Sequence, residues 1–345
     1  MQHEPPAPDQ KPRARADVTL PAGSGPTYVT EEQFADARAF ISRHTHHTPM
    51  ISSGQLSSST GYDVQLKAEM FQRTGAYKIR GALNKIRLLT DEQRARGVIC
   101  SSAGNHAQGV ALAAAILGVK AIVVMAQNAT PSKVAATKGY GAEVVLHGNI
   151  WDEANEEAMR LVAQHGYTLV HPFDDLDLIA GQGTLGLEVA EDVPDVAVVV
   201  VPIGGGGLIS GVSQAIKLKC PGARVIGVES NAAPAMHDSL RAGHVITLDS
   251  ANTAADGLRV RRVGDTTFRI VRDFVDEVVL VSEDEIRDSI VWCLARLKVL
   301  TEGAAASTVA ALRKGLIAAP AGSRVVCVLS GGNLDTDQFK ALRIN

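Results

Sequence analysis

Residues 196–203 read VAVVVVPI, an apolar run without one polar interruption. A strand with one wet face alternates polar and apolar side chains, so this strand is expected to be covered on both faces, as strands of parallel sheets are. Similar runs recur, separated by segments of helical length. The first series takes in 98–100, 103–117, 121–125, 131–138, 143–146 and 151–164. The second takes in 196–201, 208–218, 225–228, 278–281, 283–297, 304–315 and 325–329. This alternation predicts an α/β fold of open parallel sheets joined by crossover helices. Ligands on such sheets sit beyond the carboxyl ends of the strands, so the loops after Cys100, Pro202 and Leu329 become candidate sites.

At 345 residues the chain is long for one core and suits two domains, or one α/β unit with an inserted lobe. A net charge of −3 gives no electrostatic case for nucleic acid or an anionic membrane, and no run is long enough to span a bilayer. Cys100, Cys220, Cys293 and Cys327 are widely spaced with no CxxC pair, which predicts free thiols in a reducing cytoplasm. Residues 1–26, rich in Pro, Ala and alternating charge, read as a disordered tail rather than a signal peptide.

Four segments could carry chemistry. In 67–82, KAEMFQRTGAYKIRGA, Lys78 stands between Gly75 and Gly81. An ammonium packed against backbone loses its proton more easily and becomes a nucleophile, which makes Lys78 a candidate Schiff-base lysine. The competing reading makes Thr74 an N-cap, with Lys78 and Arg80 as solvated helix charges. In 101–109, SSAGNHAQG, small residues let helix N-terminal amides approach a carboxylate, while Asn105 and His106 offer directed hydrogen bonds. The alternative there is a helix start capped by Ser102, with His106 simply packed.

Gly204, Gly205, Gly206 and Gly207, followed by Leu208, form a run whose entropic cost is usually tolerated where backbone N–H groups wrap a ligand. Neither a dinucleotide nor a triphosphate fingerprint is present, so a phosphate monoester suits the loop best; a structural tight turn is the alternative. Ser330, opening Ser-Gly-Gly-Asn after a strand, could face a heteroatom of a planar cofactor or merely begin a turn. An amine, a hydrogen-bonding loop, a phosphate cradle and a lone hydroxyl are together what pyridoxal 5'-phosphate needs.

In order and spacing over residues 27–345, these segments closely resemble TGSFKxRGA, SAGNHAQG, GGGGL and SGGN of the serine/threonine dehydratase branch of the fold type II pyridoxal-phosphate enzymes. The resemblance implies two parallel-sheet domains with the cofactor in the cleft between them: a large one from 27–95 and 172–345, and a small one, 96–171, inserted in it. It implies that Lys78 holds the cofactor covalently, that Asn105 bonds its ring hydroxyl, and that Gly204 to Leu208 bind its phosphate. Ser330 would face the pyridine nitrogen, and Ser102, Ala103, Gly104, Asn105 and His106 would receive the substrate carboxylate.

The implied reaction is β-elimination from a hydroxy amino acid, L-threonine or L-serine first, giving a 2-oxo acid and ammonia. A neutral hydroxyl at Ser330 would not keep the ring nitrogen protonated, which favours rapid loss of the β-hydroxyl over a long-lived carbanion. Lys78 would remove the α-proton and the cofactor phosphate would protonate the leaving group. A 3-hydroxyaspartate-like or specialised catabolic substrate stays open.

Serine racemases of the branch carry Ser where this chain has Ala103, and a methyl cannot carry a proton, so racemisation is disfavoured. A β-replacement synthase would carry a TSGNTG-type loop instead, and a binding protein using the cradle alone would not need Lys78. Two further departures from the family pattern are Tyr77 for Phe and Ala76 for Ser. Feedback through an isoleucine-responsive domain is not expected from a chain that stops at Asn345, and the resemblance implies a homodimer or homotetramer. Some relatives bind a divalent cation through two acidic residues; Glu229 matches the first, whereas the second position is Ala235, so Glu229 is equally a structural residue.

Overall fold

The structure is a computed structural model that describes residues 28–342; the disordered-tail reading of 1–26 falls outside the described residues. Among the described residues ten strands form two sheets. In chain order they are β1 (Met50–Ser52), β2 (Asp63–Ala68), β3 (Val98–Ser101), β4 (Ala121–Met125), β5 (Glu143–Leu146), β6 (Thr168–Leu169), β7 (Val198–Pro202), β8 (Arg224–Ser230), β9 (Glu277–Val281) and β10 (Arg324–Leu329). The larger sheet runs β1-β2-β10-β7-β8-β9, parallel except for the β1–β2 pair, and the smaller runs β5-β4-β3-β6, parallel throughout.

The apolar run of β7 behaves as its composition demands. Val198 and Val200 join Leu66, Cys327 and Leu329 in a core beneath the Ala-rich helix Gly303–Arg313. Val199 and Val201 join Val326 and Val328 in a second core on the other face, against the helices Leu176–Asp192 and Gly207–Lys219. Alternate side chains thus leave the strand in opposite directions and both sets are buried.

Three segments depart from the sequence pattern. Strands β1 and β2 lie where no apolar run marks them, because β2 carries polar residues and the buried Lys67. The helix Leu176–Asp192 holds Gly181, Gly183 and Gly186, which lower its helical propensity. They permit close approach, since a methyl at Gly181 would collide with the Arg80 carbonyl oxygen at 2.5 Å. The helix expected over 283–297 ends at Trp292 and continues as a π-helical turn, Cys293–Leu297, closed by Lys298 at φ +61°.

This topology sends the loops after β3, β7 and β10 toward one cleft. Tyr77 N–H donates to Ser330 O (3.1 Å), and Asn333 Nδ2 donates to Asn105 Oδ1 (2.8 Å).

Candidate active site

Lys78 is the N-cap of the helix Ile79–Arg87, which has no side-chain cap; the candidate cap Thr74 instead donates to Ala76 O at 3.2 Å. Gly109 makes room for it, since a methyl there would sit 3.0 Å from the Lys78 carbonyl carbon. The amine is partly buried, donates to Pro172 O at 2.8 Å and lies 5.3 Å from the Tyr77 ring centroid. Burial lowers its pKa to about 8, with the Glu302 carboxylate pulling the other way. An appreciable neutral fraction near pH 7 follows, and with it nucleophilic character.

The helix after β3, Asn105–Ile116, begins with Gly104 as N-cap and no capping side chain. Ser102 Oγ accepts from Gly104 N–H at 3.3 Å, inside the loop, so it is not the helix cap. The first-turn amides therefore stay available to an anion. Asn105 Nδ2 donates to Glu302 Oε1 and Oε2 at 2.8 and 2.9 Å, while Asn333 Nδ2 bridges Asn105 Oδ1 and Thr74 O, each at 2.8 Å. The amide orientations are the ones this network assigns. His106, 3% exposed, donates from Nε2 to Val170 O at 2.8 Å. Its Nδ1 then carries a bare lone pair without a partner, and burial with the nearby Lys78 charge pushes its pKa down to about 3.

Gly204 to Gly207 exclude side chains for separate reasons. A methyl at Gly204 would run into Gly257 O; one at Gly205 would run into the Phe173 ring. One at Gly206, where φ is +93°, would meet Thr267 and Met236, and one at Gly207 would meet the Phe173 backbone at 2.9 Å. Leu208, 3% exposed, anchors the following helix in the core. With Gly206 as an N-cap that offers no side chain, the loop presents backbone amides alone, a cradle with the chemistry a phosphate requires. Gly204→Ala, which must push a backbone carbonyl aside, is expected to weaken retention of a phosphate-bearing cofactor by about tenfold or more, read by equilibrium dialysis. Unchanged retention would remove the loop from the cofactor site.

Ser330, 1% exposed, follows β10 directly. Glu302, which no motif flagged, has its pKa raised by burial and joins Asn105 to the start of the helix Gly303–Arg313. A single Glu before a run of alanines carries no local signal of such a contact. Glu229 stands apart: both its oxygens accept helix N-terminal amides, from Met236 and His237, each at 2.8 Å, and burial raises its pKa to about 8. Among the described residues no group of three or more His, Cys, Asp or Glu gathers around it or elsewhere, and no helix is long and apolar enough to cross a membrane.

Comparison with known proteins agrees with these features. The model of the pyridoxal-phosphate dependent enzyme family matches residues 41–331. An L-threonine ammonia-lyase of Thermotoga maritima is 50% identical over 311 residues, 90% of this chain and 77% of that protein. Among solved structures, the processed form of threonine deaminase isoform 2 from Solanum lycopersicum superposes with a TM-score of 0.87 at 34% identity, covering 92% of this chain and 95% of that one. Maize serine racemase superposes at 0.86 with 39% identity, covering 90% and 95%. A partly buried lysine of lowered pKa, a side-chain-free anion cradle and the match over most of its length say the same thing: the chain belongs to the pyridoxal-phosphate dependent enzyme family, with the fold type II architecture.

Proposed function

We propose that this enzyme eliminates the β-hydroxyl of L-threonine or L-serine, releasing a 2-oxo acid and ammonia. The observation that carries the reading is the Lys78 amine with its lowered pKa, its backbone packed at Gly109 against the helix that the uncapped loop with Ala103 opens. The Thermotoga protein, half identical to this chain, is an L-threonine ammonia-lyase, which places threonine first.

Pyridoxal phosphate, held at Lys78, would supply an electron sink that makes the substrate α-proton acidic. Gly204 to Leu208 would hold its phosphate through backbone N–H groups, Asn105 would serve its ring hydroxyl, and Ser330 would be the neutral partner of its ring nitrogen. The loop of Ser102, Ala103, Gly104, Asn105 and His106 takes the substrate carboxylate on uncapped amides. Lys78 Nζ would take the α-proton, and Pro172 O is the acceptor that keeps it in place. Glu302 fixes the orientation of the Asn105 side chain by accepting from its amide.

The racemase reading needs an acid/base group on the opposite face of the α-carbon. Ala103 has none, so proton return from that side is closed to this loop. The division into 27–95 plus 172–345 and an inserted 96–171 is supported by the segregation of β3 to β6 into their own sheet. A cytoplasmic homodimer or homotetramer completes the proposal, its compartment suited to four unpaired cysteines and its assembly to be read by light scattering.

Turnover of L- and D-serine, L- and D-threonine and the 3-hydroxyaspartate isomers, followed by 2-oxo acid release and chiral analysis of recovered substrate, tests this. L-threonine and L-serine are expected to be consumed without inversion of the remainder. Inverted substrate would establish racemisation, and preference for 3-hydroxyaspartate would replace the assigned substrate.

A further inference from the structure

The geometry points to His171 as a positioning residue: its Nδ1 lone pair holds a turn that sets both the acceptor of the Lys78 amine and the packing behind the glycine cradle. This rests on the reading of the cleft as a cofactor site.

His171 Nδ1 accepts from Asp174 N–H at 2.8 Å and, more weakly, from Phe173 N–H at 3.3 Å. Two backbone donors converging on one ring nitrogen require that nitrogen to be bare, so the ring proton resides on Nε2 and the neutral tautomer is selected. Protonation of Nδ1 would set N–H against N–H. Burial and the Lys78 charge lower the imidazole pKa while Asp174 and Asp175 raise it, and the lowering prevails. The intervening Pro172 has no N–H and a fixed φ, so its carbonyl is the one polar backbone group it contributes.

Three contacts leave this turn, all toward the site. Pro172 O receives Lys78 Nζ at 2.8 Å. The Phe173 ring fills the space where a side chain on Gly205 would lie, its backbone closes the space beside Gly207, and the ring stands edge-on to His171 with centroids 4.7 Å apart. Asp174 Oδ1 accepts from Thr266 and Thr267 N–H at 3.0 and 3.1 Å, and Thr267 Oγ1 donates to Gly205 O at 2.7 Å. The amine and the cradle, far apart in sequence, are thus referenced to one imidazole. His171 reaches the reacting atoms through Pro172 and the glycine loop.

The nature of Nδ1 suggests the variants. Asn carries Oδ1 on the same Cγ that carries Nδ1 in histidine, and closes the same kind of turn onto amides two and three residues ahead. Gln places its acceptor one bond too far, and Leu has none. His171→Asn is expected to retain cofactor affinity and kcat within about threefold of wild type, as a short polar side chain that keeps the acceptor. His171→Leu and His171→Gln are each expected to weaken pyridoxal phosphate binding about tenfold and lower kcat about a hundredfold, with KM changing far less. Binding is measured by dialysis on holoprotein and stripped protein whose folding is verified by circular dichroism.

A merely structural histidine would move the melting temperature while leaving the cofactor affinity of the folded fraction unchanged, and that result overturns the assignment. So does an Asn variant as impaired as Gln. If Leu does not fold, the Asn and Gln pair decides. Wild-type protein that binds cofactor yet releases no 2-oxo acid would refute the proposed reaction, while the affinities would still test His171.

Discussion

Lys78→Ala is expected to abolish 2-oxo acid release from L-threonine and L-serine, by about 10⁴-fold or more, because one amine serves as both covalent anchor and α-proton base. The variant should still take up pyridoxal phosphate through the glycine cradle, which does not depend on the lysine side chain. It should lack the absorbance of the covalently held cofactor. Separation of these two readouts is informative: retained binding with lost chemistry locates the defect at Nζ, whereas loss of both would mean that Lys78 also supports the cleft. A pH dependence accompanies this in the wild type. Only neutral amine attacks an aldehyde, and burial lowers the Lys78 pKa to about 8. Covalent uptake of cofactor by stripped protein should therefore quicken as pH rises through about 8 and level off above it. Turnover by Lys78→Ala within tenfold of wild type would exclude the mechanism.

How far the sequence disclosed this site depends on the kind of contact. Where backbone must touch a ligand, side chains have to be small over consecutive positions, and such runs are visible as Gly204 to Gly207 or the loop before Asn105. The strand at 121–125 is marked just as plainly by its buried apolar run. Contacts made by one polar side chain leave no such trace. Glu302 on Asn105, and His171 on the amides of Phe173 and Asp174, are single polar residues in unremarkable surroundings. The π-helical turn after Trp292 and the glycine-bearing helix Leu176–Asp192 were illegible for a related reason, since tertiary packing overrides their local preferences.

Arg80 is the plainest case of a side chain whose sequence setting misleads, and it carries the largest expected effect on stability. Two residues after Lys78, it reads as a solvated helix charge, yet it is fully buried. Its Nε and Nη2 donate to Glu69 Oε2 and Oε1 at 2.9 and 2.7 Å; its Nη1 and Nη2 donate to Glu188 Oε1 and Oε2 at 2.7 and 2.9 Å. Two bidentate forks thus use four of the five guanidinium N–H groups, and Nη1 also donates to Thr184 Oγ1 at 3.4 Å. Lys67, also fully buried, lies 3.0 Å from Glu188 Oε2, and Arg38 donates to Glu188 Oε1 at 2.7 Å. Arg80 and Lys67 hold the Glu188 pKa down to about 2 despite its burial.

Arg80→Met fills much of the volume and removes the charge. Glu188 keeps Lys67 and Arg38, but Glu69 is left with Thr48 Oγ1 as its side-chain donor. A buried carboxylate stripped of its counter-charge costs about 3–5 kcal/mol, which should lower the urea midpoint substantially at neutral pH. A second change at the stranded carboxylate distinguishes this cause from a packing defect. Removing that charge by the double change Arg80→Met/Glu69→Gln should recover part of the loss at neutral pH, and a double variant no more stable than the single one would exclude charge burial as its origin.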